Sequence, residues 1–285
     1  MGENKCRLFA DDTGIFTHNK NFNQLIAESK QLYSKLFDWC IASKLTINLK
    51  KTHFMLFYNK NKPVPNDFNH INVGEFRINR VEETKYLGLT IDEKLYWTNH
   101  IKELGKSLVK FFGIFKNIRH YANNKLRRNI YFTFVYSKIS YGIQVYGASA
   151  DTNLKKIQTL QNKILKFLFK LDPDMSTKDL HYKIRILNIK DSYEVNLLNF
   201  VNKCVNGKCP DFLKGYFPYN QNVYNIREHH LKMAKYRTVT GSHCSKKMGP
   251  KLWNRLNDCC IGSSSRLSFK KHVTKCYISK YAPQV

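Results

Sequence analysis

Arg7-Leu8-Phe9-Ala10-Asp11-Asp12-Thr13-Gly14-Ile15-Phe16-Thr17 opens the chain, and its reading decides the rest. Two short apolar stretches flank the polar tip Ala10–Thr13, the pattern of a β-hairpin. A turn of this kind aims two adjacent carboxylates into one space, where a cation relieves their repulsion. Hard carboxylate oxygens suit Mg²⁺, which takes few protein ligands and leaves room for substrate phosphates. Paired ions of that sort, about 3.5–4 Å apart, serve phosphoryl transfer. Turns also favour Asp for its own hydrogen bonding, so the pair taken alone reads first as a plain turn.

Downstream, apolar residues at 22, 25, 26, 32, 33, 36, 37 and 40 predict an amphipathic helix capped by Asn21. Leu45–Tyr58 reads as strand-like segments interrupted at Lys50–Thr52, and a polar loop with Pro63 and Pro65 follows. Ile71–Val73 and Phe76–Ile78 bracket Gly74-Glu75 as a second hairpin, and Tyr86–Ile91 reads as a further β segment. After Trp97 the period becomes helical. Apolar positions 101, 104, 108, 111, 112, 115 and 118 share one face, and 125–140, 153–171, 191–205 and 266–279 are further helix candidates. The class is α+β, with a β-containing front and a helical rear.

Charge divides at the same place. The chain carries 48 Lys+Arg against 21 Asp+Glu, a net +27. Residues 1–96 hold 14 basic and 11 acidic side chains, net +3, which leaves 34 and 10, net +24, for 97–285. Such an excess repels itself unless a polyanion is bound, and nucleic acid fits first. Candidate phosphate contacts are Lys102, Lys106, Lys110, Arg119, Arg127, Arg128, Lys155, Lys156, Lys163 and Lys166. An aromatic share of 14% excludes wholesale disorder. No apolar run approaches the 18 or so residues of a membrane span, so no membrane partner is expected. The start offers Cys6 where N-myristoylation wants Ser or Thr, so acylation is not expected either.

Eight Cys with no signal-peptide pattern point to reduced thiols in an intracellular, nuclear or cytoplasmic protein, without a disulfide-linked partner. Cys204-X4-Cys209 with His229-His230, or His243-Cys244 with Cys259-Cys260, lack paired zinc-ligand spacing and read as ordinary cysteines.

Phe9-Ala10-Asp11-Asp12-Thr13 resembles the aromatic-X-Asp-Asp box in the palm of reverse transcriptases, in the form common in non-LTR retrotransposons. Other stretches resemble the family in the same order. Trp39–Asn48, Lys51-Thr52 and Met55–Phe57 are similar to the following palm helix and strand. Tyr86-Leu87-Gly88, Ile91-Asp92 and Trp97-X-X-His100-Ile101 are similar to the primer grip and thumb entrance. Leu160–Lys163, Gly249–Asn254 and Ser268–Lys271 resemble segments C-terminal to the polymerase domain in jockey-like elements.

The resemblance implies a partial palm over 1–96, a helical thumb over 97–171 and a basic C-terminal extension over 172–285. It implies that Asp11 and Asp12 bind Mg²⁺ and carry catalysis, that Lys51 lies near the incoming nucleotide's phosphates, and that Tyr86, Leu87 and Gly88 grip the primer. The partners so implied are an RNA template, a DNA primer and dNTPs. The family has a third catalytic Asp on an upstream strand, whereas here ten residues precede Asp11. The sequence therefore reads as the C-terminal portion of such an enzyme, a truncated copy inactive by itself. The rival reading is a non-catalytic nucleic-acid-binding protein derived from a decayed element.

Overall fold

The computed structural model describes residues 6–58, 64, 68–220, 230–261 and 265–283, save the side chains of Val239, Asp258 and Cys259. The chain divides into two compact units, Met1–Lys94 and Leu95–Val285.

The first unit begins with a hairpin of β1 (Cys6–Phe9) and β2 (Asp12–Ile15), antiparallel with Phe9 opposite Asp12. Helix α1 (Phe22–Ala42) starts at the predicted cap, where the Asn21 side chain accepts from the Asn23 and Gln24 amides. A three-stranded sheet follows in the order β3 (His53–Phe54), β5 (Phe76–Arg80), β4 (His70–Val73), with β3 parallel and β4 antiparallel to β5. The turn between β4 and β5 is Gly74-Glu75, with Gly74 at φ +56° as a tight hairpin requires. Alternation along β4 and β5 turns Ile71, Val73 and Ile78 inward onto Phe37 of α1. Ile26, Tyr33, Ile47, Phe54 and Phe68 close the cluster, and Phe37 stacks on Phe76 at 4.7 Å.

Two sequence expectations are corrected here. Leu45–Lys50 forms no strand, because the Asn48 carbonyl takes the Lys51 and Thr52 amides into a turn, leaving His53–Phe54 as the strand. Tyr86–Ile91 is a hairpin rather than one segment: β6 (Glu83–Tyr86) turns at Leu87-Gly88 into β7 (Leu89–Asp92). Leu87 and Gly88 both have positive φ, +47° and +78°, the conformation of a two-residue hairpin turn.

The second unit is helical in its regular structure. Helices α2 (Thr98–Val109) and α3 (Phe111–Ile118) run on with only Lys110 between them, itself in helical conformation. Helix α4 (Asn124–Ile130) continues through a π-helical segment, Tyr131–Tyr136, into α5 (Ser137–Ser140). After short α6 (Ile143–Tyr146) come α7 (Asp151–Phe169), α8 (Thr177–Ile184) and α9 (Ile189–Val205). The later part holds α10 (Val239–Ser242), α11 (Ser245–Trp253), α12 (Asp258–Ile261) and α13 (Arg266–Ser279).

Helix α9 is the axis of this unit. Residues on every side of it are buried, among them Tyr193, Val195, Leu197, Leu198 and Val201, as expected of a helix enclosed by others. It packs against α5, α6, α7, α11 and α13. Two tyrosines of the C-terminal region lock onto its carboxylates: Tyr277 donates to Glu194 at 2.7 Å and Tyr281 to Asp191. Burial pushes the Asp191 carboxyl above its ordinary range. In the core between α7 and the π segment, Gln161 donates to Tyr131 Oη at 2.8 Å and to the Leu187 carbonyl at 2.9 Å. That satisfies a side chain with no exposure.

Gly249 and Pro250 lie inside α11, and Trp253, 1% exposed, stacks on Phe269. Gly147 ends α6 against α9, and a Cβ there would stand 2.4 Å from the Ile143 carbonyl oxygen and 2.5 Å from the Tyr193 ring. Neither neighbour is a flexible tip. Gly147→Ala is therefore expected to destabilise the chain by about 1–3 kcal/mol through overpacking. Urea unfolding checks it, and an unchanged midpoint would contradict the packing of α6 on α9.

Candidate active site and nucleic-acid interface

The Asp11–Asp12 hairpin is built by its turn. Opposing Phe9 to Asp12 leaves a two-residue loop, Ala10-Asp11, with Ala10 at φ +50°. Residues directly opposite share a face and alternate along each strand, so Asp12 stands with Phe9, Arg7 and Gly14 while Asp11 sits in the loop itself. Both aspartates are exposed. Among the described residues neither carboxylate has a hydrogen-bond or ion-pair partner. No third Asp, Glu, His or Cys among them gathers with the pair into a three-ligand group. The donors fit Mg²⁺ in kind, being hard, anionic and accessible. Leu8 and Phe9 beside them are also exposed, at 67% and 64%.

The hairpin of β6 and β7 comes to the same place. A Cβ on Gly14 would lie 3.1 Å from Tyr86 Oη, and the Phe16 and Tyr86 rings meet edge to face at 6.4 Å. Tyr86 therefore rests on the strand that carries Asp12, with Leu87 and Gly88 forming the adjoining turn. The motif residues of the sequence do not single out Gly14; a glycine in a short strand is the available signal of such close approach. Lys51 is exposed in the Asn48–Thr52 turn. Among the described residues no hydrogen bond or ion pair joins it to the carboxylates.

In the second unit, α2 and α7 enclose a groove of about 670 Å³. Its lining includes Ile101, Gly105, Val109, Ile157 and Leu160, together with Lys102 and Lys106 from α2 and Lys156 and Lys163 from α7. Spacings of four and seven residues set each lysine pair on one helix face.

The other candidate cations lie outside this lining. Lys110 sits exposed between α2 and α3, and Lys155 is exposed on α7. Lys166 donates to the Pro173 carbonyl. The three arginines serve the fold. Arg128 caps the end of α8 by donating to the Ile184 and Arg185 carbonyls at 2.7 and 3.1 Å. Arg127 donates to the Arg119 carbonyl, and Arg119 lies over the Phe167 ring at 4.2 Å.

The cysteine sets weighed in the sequence do not assemble among the described residues. Cys209 donates weakly to the Cys204 carbonyl, and burial raises the Cys204 thiol to about 12. His229 and the Cys259 side chain lie outside the described residues. No helix among the described residues is long and apolar enough to cross a membrane.

Residues 2–91 match the family model for reverse transcriptase (RNA-dependent DNA polymerase). The chain is 25% identical over 189 residues to the RNA-directed DNA polymerase from mobile element jockey of Drosophila melanogaster, covering 65% of this chain and 20% of that protein. To the jockey polymerase of Drosophila funebris it is 26% identical over 198 residues, 67% of this chain and 21% of the relative. The probable RNA-directed DNA polymerase from transposon X-element of Drosophila melanogaster is 23% identical over 201 residues, 68% and 21%. The chain thus spans about one fifth of the length of the relatives it matches. No solved structure matches it.

Proposed function

We propose, on the premise that residues 2–91 are a segment of the reverse transcriptase family, that this chain supplies part of an RNA-directed DNA polymerase of a non-LTR retrotransposon, from the carboxylate hairpin onward. The reaction is template-directed addition of a dNTP to a primer 3′-hydroxyl, with pyrophosphate leaving. The observation that carries this reading is the Asp11–Asp12 hairpin with Tyr86 packed on its strand, inside the matched segment.

Asp11 and Asp12 are the residues to hold Mg²⁺. When bound, the ion lowers the pKa of the attacking hydroxyl and offsets the charge of the leaving pyrophosphate. Tyr86 and the Leu87-Gly88 turn steady the primer terminus beside the two carboxylates. Gly88, with no side chain, lets a sugar-phosphate backbone approach. Lys51 is assigned to the phosphates of the incoming nucleotide. Lys102, Lys106, Lys156 and Lys163 neutralise duplex phosphates along the α2–α7 groove, which positions an RNA–DNA hybrid without reading its sequence.

Two carboxylates set −2 against the +4 of two ions, so the 285-residue polypeptide expressed by itself is expected to add no dNTP to oligo-dT on poly-rA. The same polypeptide joined to an upstream palm segment bearing a third Asp is expected to do so in Mg²⁺. Incorporation by the 285 residues alone, lost in Asp11→Asn, would show that the ligand set is already sufficient.

A further inference from the structure

At the C-terminal end of the second unit, two helices bring three soft ligands together. Cys260 of α12 and His272 and Cys276 of α13 place their ligand atoms within 4.8 Å of one another. Among the described residues they form the only such group. The two sulfurs are 4.0 Å apart. A disulfide bond is about 2.05 Å long, so the thiols are not bonded. Two thiolates on one tetrahedral zinc ion, each about 2.3 Å from it, stand about 3.8 Å apart. The observed separation is within a few tenths of an ångström of that edge.

The helix explains half of this geometry. His272 and Cys276 are one turn apart on α13, beside the stripe of Phe269, Val273 and Tyr277 that is buried. The burial of that stripe fixes the helix and hence the direction of both ligands. Cys260 arrives from a separate four-residue helix and is 2% exposed, with its sulfur facing Cys276. Helix α12 is far too short to hold its shape by propensity. A bond from Cys260 across to α13 would anchor it.

We propose that Cys260, His272 and Cys276 bind a zinc ion that clips α12 to α13. The donor set is two thiolates and one imidazole, the combination that selects zinc over the oxygen-seeking magnesium of the hairpin. Both thiols lose their protons on binding, so one Zn²⁺ enters, two H⁺ leave, and the ion with its two thiolates is neutral. The imidazole donates a nitrogen lone pair, and water takes the fourth corner. The site is independent of the polymerase reading, because it depends on none of the residues assigned there.

The test uses the full chain purified under reducing conditions with zinc supplied. Elemental analysis is expected to find one zinc per chain after dialysis. Replacement by Co²⁺ is expected to give a thiolate-to-metal charge-transfer band and the visible bands of a tetrahedral ion. Cys276→Ser and His272→Ala should each lose the metal, while Cys209→Ala keeps it. Should Cys276→Ser fail to fold, the Co²⁺ spectrum of the unaltered chain decides alone. A chain that retains no zinc, zinc that persists in a folded His272→Ala and Cys276→Ser pair, or a Co²⁺ form without thiolate bands would each overturn the proposal.

Discussion

Asn in place of Asp11, in a polymerase completed by its upstream palm, is expected to lower single-turnover dNTP incorporation by about 10³-fold or more. The substitution keeps shape and removes one negative charge and one metal-binding oxygen. Metal stabilisation of the transferring phosphoryl group is worth several kcal/mol. Losing about 4 kcal/mol of it corresponds to a factor of about 10³. Asp11 is exposed, in a two-residue loop, and has no hydrogen-bond or ion-pair partner among the described residues, so the variant should unfold at an unchanged temperature. Loss of rate with intact stability separates a chemical role from a structural one. Asp12→Asn is expected to cost less, since family resemblance makes the first aspartate the firmer ligand. An Asp11→Asn enzyme within a few fold of the unaltered one would remove the carboxylates from the mechanism.

Duplex binding by the full chain is expected to collapse with salt. A phosphate-tracking groove releases counterions, and log K falls by roughly 0.9 per phosphate neutralised on B-DNA. Four such contacts, one for each groove lysine, give a slope near −3.6, or on the order of a 10²-fold loss of affinity between 50 and 200 mM salt. The structure sharpens which residues should matter. Reversing Lys102, Lys106, Lys156 and Lys163 to Glu should weaken binding to every sequence alike and flatten the slope. Arg128→Gln should leave the slope alone and instead cost stability, because its guanidinium holds the end of α8. Fluorescence anisotropy at four salt concentrations measures both. A slope near zero, or one unchanged by the four reversals, would contradict an electrostatic grip in the groove.

Much of this was legible in the sequence wherever one signal dominated. The period from Phe22 and the Asn21 cap predict α1, and Gly74-Glu75 between alternating strands predicts β4 and β5. The hairpin at Asp11 and Asp12 follows from its flanks, although its loop is Ala10-Asp11 alone and Asp12 and Thr13 already belong to β2. The failures have physical causes too. Tyr86–Ile91 looks like one strand because all its residues but Gly88 favour strands; backbone geometry shows that Leu87, an unusual residue at positive φ, begins a turn that Gly88 completes. Lys110 breaks no pattern, since it stays helical between α2 and α3.

Arginines and lysines are equivalent in a charge count, yet tertiary packing spends Arg119, Arg127 and Arg128 on carbonyls and a ring and leaves four lysines on the groove. Cys260 joins His272 and Cys276 across a spacing that matches no familiar ligand pattern, so its proximity emerges only from the packing of α12 on α13.

The most direct test exchanges segments. Residues 2–91 of this chain, the stretch that matches the reverse transcriptase family model, placed in the Drosophila melanogaster jockey polymerase in lieu of its own reverse transcriptase segment of the same family position, are predicted to extend a DNA primer on an RNA template in Mg²⁺ and to stop when Mg²⁺ is chelated. A chimaera that folds and binds the hybrid yet adds no nucleotide, while the unexchanged enzyme does, would contradict the assignment of this hairpin to a polymerase palm.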